Sequence, residues 1–141
     1  MLRIVVMVQL CTIAYIDYKT MKIPNKMNLL LGICGLIACI QNPDIEMMER
    51  ILGFFAVSVP MYLICLVIPN AFGGGDIKLA AVMGFYLGWK KLLAGTYISF
   101  LIGGLQAAYL LVIKRVHHEK QTHMAFGPAL CAGMILAMVL G

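Results

Sequence analysis

Six apolar stretches, at about 2–17, 27–41, 48–68, 76–89, 91–113 and 125–140, run along the chain with short polar breaks between them. The hydrocarbon layer of a bilayer takes roughly 20 helical residues to cross. Backbone polar groups at that depth must be satisfied within the segment, so each stretch is expected to be a helix. The first break carries Lys19, Lys22, Pro24 and Lys26, and the second carries Pro43, Asp44, Glu46 and Glu49. The third spans 69–75, the fourth is the tight Trp89-Lys90-Lys91, and the fifth spans 114–123. No repeat, low-complexity tract or long linker divides the chain, so residues 1–141 read as a single membrane-embedded domain. The expected fold is all-α, a polytopic membrane protein with about six transmembrane helices. Residues 2–16 loosely resemble a signal peptide, but no small-x-small site precedes Asp17, so the stretch reads as a retained first span.

Composition supports this. Hydrophobic residues make up 62% of the chain and charged residues 12%, with a mean hydropathy of +0.95. A soluble domain carries about 25% charged residues. The net charge of +5 lies in short loops rather than on one polar face, which argues against nucleic acid as a partner. Cys11, Cys34, Cys39, Cys65 and Cys131 all fall in apolar stretches without a Cys-x-x-Cys pair. They read as small buried hydrophobes, not as a disulfide framework or a metal site. Lys19, Lys22, Lys26, Lys78, Lys114, Arg115 and Lys120 fall in or beside breaks one, three and five, against Arg3, Arg50, Lys90 and Lys91 on the other side. That bias places breaks one, three and five in the cytoplasm. Lys114, Arg115 and Lys120 also suit anionic lipid headgroups.

Within this apolar chain two acids stand out. Asp17 closes the first stretch and Asp76 opens the fourth, so the topology puts both on the same side. Each lies fourteen residues from a cation of the opposite face, Arg3 or Lys90, or roughly 21 Å of helix. The two carboxyls are therefore expected at matching depth, inside the cytoplasmic boundary. Charge there is costly and marks function, and two carboxyls that meet are the minimum for acid–base hydrolysis. Asp76 follows Gly73-Gly74-Gly75, a triad expected to supply positive φ and close backbone approach. The plainer reading is a helix-capping Asp in a tight loop. A phosphate loop is excluded, because Lys78 follows the acid and the Gly-x-x-x-x-Gly-Lys-Ser/Thr order is absent. Pro24 is expected to stop the first helix and Asn25 to cap the second. His118 and His123, five residues apart, sit about 140° apart on a helix and do not make the i, i+4 zinc pair, so 117–123 reads as a loop. Gly84 and Gly88 are expected to permit close helix contact.

Taken together, Asp17 with Ile23-Pro24-Asn25, Gly73 and Gly75 with Asp76, and Phe126-Gly127-Pro128 resemble the prepilin peptidase (type IV leader peptidase) family of Gly-x-Gly-Asp membrane aspartyl proteases. The resemblance covers essentially the whole chain. It implies that Asp17 and Asp76 are catalytic, with Gly73, Gly74, Gly75, Lys78, Ile23, Pro24, Asn25, Phe126, Gly127 and Pro128 as supporting motif. The implied substrate is a prepilin or pilin-like precursor with a basic cytoplasmic leader and a membrane-inserted apolar helix. Larger members carry two Cys-x-x-Cys pairs in an N-terminal segment linked to methylation of the new N-terminus. This chain begins directly with its first apolar stretch, so the resemblance implies a short, peptidase-only form with no methyltransferase activity, cofactor or metal. Two carboxyls in a low-dielectric site would share a proton and activate a water between them. From another class, a small proton-coupled transporter or channel would use the same two acids as a relay. A catalytically silent subunit of a pilus or secretion apparatus is a third reading. The oligomeric state stays open.

Overall fold

The computed structural model describes residues 1–117 and 125–141, and among these the chain is helical, with no strand. Its elements are α1 (Leu2–Thr20), α2 (Asn25–Gln41), α3 (Met47–Ala56), α4 (Ser58–Val67), α5 (Gly74–Leu87), α6 (Trp89–His117) and α7 (Gly127–Leu140). The expected all-α class holds. The apolar stretch at 48–68, read as one span, is broken at Val57, and the cause is Pro60. Proline has no N–H for the carbonyl four residues back, here that of Ala56, where α3 ends. Together α3 and α4 still form one apolar rod, Met47–Val67.

That rod and Trp89–Ile113 are each long and apolar enough to cross a bilayer. The apolar helices α2 and α7 are shorter, at 17 and 14 residues, and the latter is only about 21 Å long. Among the described residues, two of the six expected spans meet the crossing criterion outright.

Burial is inverted relative to a water-soluble bundle. Leu29, Ile40, Val67 and Leu105 are among many large apolar side chains left open at the surface, whereas Asp17 (5% exposed), Asp76 (7%) and Arg50 (1%) are inside. Surface apolarity on this scale marks an apolar surrounding medium. A core of Leu10, Ile13, Leu79, Met83, Leu130 and Met134 joins α1, α5 and α7. α5 sits centrally against α2, α3, α4, α6 and α7, while α7 packs on α1 and α6. Gly84 does allow close contact, with Gly53 of α3, because a Cβ at either would overlap the other's carbonyl. Gly88 also stands close to the start of α3, since a Cβ there would lie 3.3 Å from the Ile45 Cγ2 and 3.9 Å from Glu49, and its φ of 78° ends α5 in the one-residue turn before Trp89.

The chain direction gives the bundle two poles. The C-terminus of α1 and the N-termini of α2, α5 and α7 gather at one, and the opposite ends of these helices gather at the other.

Candidate active site

Asp17 lies in the last turn of α1, which closes on Met21 in the left-handed conformation, φ 53°. The helix therefore ends before Pro24 and not because of it. Pro24 instead precedes α2 as its N-terminal cap residue, and its carbonyl accepts the N–H of Met27 at 3.0 Å. The expected Asn25 cap is also overturned, since no side chain caps α2. The Asn25 Oδ1 accepts from the Lys78 ammonium at 3.0 Å, tying the start of α2 to the first turns of α5.

Asp76 is the third residue of α5. Its carboxyl reaches back to the backbone N–H of Gly73, the residue that caps α5. This is one half of a capping box, so the plain capping reading is correct for one oxygen. The other oxygen, Oδ1, is buried with no hydrogen-bond partner among the described residues. The expected positive φ in the glycine triad does not occur: Gly73 has φ −69°, and Gly88 is the one glycine described with positive φ. What the triad supplies is space, because a Cβ on Gly75 would stand 2.7 Å from the Ile23 Cβ. Gly74 meets nothing at that position and is free to line the cavity.

Phe126-Gly127-Pro128 brings the start of α7 to Asp17. The Gly127 backbone amide faces the Asp17 carboxyl, and a Cβ on Gly127 would overlap that carboxyl. Pro128 occupies the first turn of α7, where its missing N–H costs nothing. Phe126 packs its ring against Phe72 (5.9 Å) and Phe100 (5.5 Å), holding the segment in place. Each acid thus meets the amide-rich, positive end of a helix, α5 for Asp76 and α7 for Asp17.

These contacts converge on one cavity of about 310 Å³, lined by Asp17, Met21, Lys22, Ile23, Gly73, Gly74, Gly75 and Asp76. The two acids, fifty-nine residues apart in sequence, share its wall and lie within electrostatic reach of each other. α1 and α5 do not pack extensively on one another; α2 and α7 bridge them. A polar cavity with two carboxyls and room for water and a peptide backbone is equipped for acid–base chemistry on an amide.

Asn28 was not singled out in the sequence. It is buried on α2, and its Nδ2 donates to the Gly75 carbonyl at 3.3 Å while its own Oδ1 is buried without a partner. The available signal was a polar residue three positions after Asn25, on the same helix face at the entry to an apolar run. With Ile23 on Gly75 and Asn25 on Lys78, it makes a third contact between the start of α2 and the start of α5. No group of three or more metal-ligating side chains occurs among the described residues. His118, Glu119, Lys120 and His123 lie outside the described residues.

Fold and site together define an apolar, all-helical protein whose buried acids face one cavity. The chain belongs to the Type IV leader peptidase family, which it matches over residues 4–108, a region that includes both acids and stops before Phe126. It is 35% identical over 132 residues to a prepilin leader peptidase/N-methyltransferase of Bacillus subtilis (strain 168), covering 94% of this chain and 52% of the relative. A protein of the same name from Neisseria gonorrhoeae is 33% identical over 126 residues, 86% of this chain and 42% of its own length. One from Escherichia coli (strain K12) is 30% identical over 132 residues, 89% of this chain and 56% of its own. The chain therefore spans about half the length of the curated relatives it matches. No solved structure matches it.

Proposed function

We propose that this protein is a multi-pass membrane aspartyl endopeptidase of the cell membrane. It removes the basic leader of prepilin or pilin-like precursors at the cytoplasmic boundary, with Asp17 and Asp76 as the catalytic pair. The observation that carries this reading is the common cavity of the two acids. The relatives are prepilin leader peptidase/N-methyltransferases, which supports the choice of substrate.

In this reading one carboxyl is ionised and the other protonated, since two negative charges crowded in a poorly solvated cavity repel. The ionised member takes a proton from a water held between them. That water attacks the scissile carbonyl carbon while the protonated member donates to the carbonyl oxygen. Collapse of the tetrahedral intermediate breaks the C–N bond, and the departing amine receives a proton from the pair. The pair titrates as a unit, so base and acid are roles of the dyad and not fixed labels. The amides of Gly127 and Gly73 hold one face of each carboxyl, leaving the other toward the cavity. The glycine loop lets the precursor's backbone approach closely, and Lys22 stands at the cavity wall beside it.

The test is co-expression with a pilin-like precursor, read as leader removal on a gel and by mass of the product. Processing is expected with the native chain and absent with either Asp17→Asn or Asp76→Asn. Leader removal that survives both substitutions ends the assignment.

A further inference from the structure

At the pole opposite the acids the helix ends surround a second polar pocket of about 130 Å³. Arg3 comes from the start of α1, Asn42 and Asp44 from the α2–α3 connection, Tyr86 from the end of α5, and Lys91 from the start of α6. Two cations and a carboxylate thus line one small space, yet among the described residues neither Arg3 nor Asp44 has an ion pair or hydrogen bond. The one ion pair described is Lys90 with Glu49, at 2.7 Å. The Lys91 ammonium donates to the Gly141 carbonyl at 2.9 Å, which leaves further N–H groups of that ammonium available. Charges of both signs that share a pocket without neutralising each other suit a ligand carrying both signs itself.

The pocket does not end in water. At Lys91 it adjoins an apolar groove of about 260 Å³ between α6 and α7, walled by Ala94, Ile98, Ala137 and Leu140. Trp89 and Lys90, next along the chain, form the aromatic–cation pair typical of the bilayer interface, with the ammonium 5.9 Å from the ring. A polar pocket at headgroup level that opens onto an apolar groove has the shape of a lipid, polar end first.

We infer that this pocket binds a glycerophospholipid with an ethanolamine headgroup. The guanidinium of Arg3 and the ammonium of Lys91 take the phosphate, and Asp44 accepts from the primary ammonium. An acyl chain lies along the α6–α7 groove. The chemistry discriminates among headgroups. A glycerol headgroup supplies no cation, so its phosphate faces an uncompensated Asp44. A choline headgroup carries a cation with no N–H to donate and would call for an aromatic cage, whereas the pocket offers the single ring of Tyr86.

The experiment is native mass spectrometry of the detergent-purified protein with an equimolar mixture of ethanolamine, glycerol and choline phospholipids of identical acyl chains. The ethanolamine lipid adduct is expected to exceed each of the others at least tenfold. Arg3→Gln and Asp44→Asn are each expected to cut that preference about tenfold, and both side chains are exposed and unbonded, so folding is kept. Lys26→Gln, at the other pole, is expected to leave it unchanged. Equal adducts for the three lipids, or full preference retained in both Arg3→Gln and Asp44→Asn, overturns the proposal. Free phosphoethanolamine at millimolar concentration separates the two sources of the headgroup. Displacement of the lipid by it assigns the pocket to a soluble phosphomonoester and overturns the lipid assignment, whereas lipid retention supports it.

Discussion

The two poles of the bundle both bury charge, and they treat it in opposite ways. Arg50, 1% exposed, donates to four backbone carbonyls: Ala38 (3.2 Å) and Asn42 (3.0 Å) at the end of α2, Phe85 (3.2 Å) and Tyr86 (3.3 Å) at the end of α5. Those carbonyls lie at two helix C-termini, where the helical N–H partners run out (the Ala38 carbonyl also accepts the Asn42 N–H at 2.9 Å), and a guanidinium there complements the helix dipoles. The acids at the other pole also sit where the local helix ends suit their sign, but they are only half satisfied. Each has one backbone amide, and Asp76 Oδ1 has no partner among the described residues. A buried charge with its bonds complete holds the fold, whereas one with bonds to spare beside a cavity is free to do chemistry.

Substitution at both poles tests this contrast. The largest effect is expected from Asp76→Asn, a loss of leader removal of at least about 1,000-fold, or roughly 4 kcal/mol of transition-state stabilisation. The thermal midpoint in detergent should stay close to that of the native chain. Arg50→Met is expected to do the reverse. It deprives four carbonyls of charge-assisted bonds and should destabilise the protein by about 3–5 kcal/mol, measured by denaturant titration in micelles. An Asp76→Asn protein that fails to fold, or an Arg50→Met protein of native stability, would break the comparison.

Gly127→Ala sharpens it. A methyl there overlaps the Asp17 carboxyl, while Gly104 has nothing within 4 Å of its Cβ position. A 10- to 100-fold fall in kcat/KM is expected for the first, about 1.4–2.7 kcal/mol, and no change for Gly104→Ala in the same steady-state assay. The smallest effect is expected from Lys78→Met, which removes one exposed hydrogen bond to Asn25. It should cost under about 1 kcal/mol in the same denaturant titration.

Much of this was legible in the amino-acid order. The apolar rods and their breaks follow from hydropathy, and the placing of Asp17 and Asp76 at one pole follows from counting residues along two helices of opposite direction. The details that failed depend on neighbours distant in sequence. Asn25 has the right chemistry for a cap, but Lys78, fifty-three residues away, takes its oxygen. Arg50 reads only as a cation of the opposite face, since nothing in its own segment shows that two helix ends converge on it. The glycine triad offered freedom of φ and freedom of space, and only the position of Ile23 decides between them. Pro60 was visible, but an uninterrupted apolar run concealed its effect on Met47–Val67. The six expected crossings are where hydropathy is least decisive, because α2 and α7 are too short to be assigned by length alone.

The grip on Asp17 comes from Gly127, the first residue of α7. Both acids and the whole glycine triad leave the ribosome well before it. A nascent chain therefore carries both acids of the cavity while the wall behind one of them is still missing, and the docking of the fourteen-residue α7 completes the arrangement. Order of synthesis thus separates two events: the acids are present early, and the contact that holds Asp17 forms late.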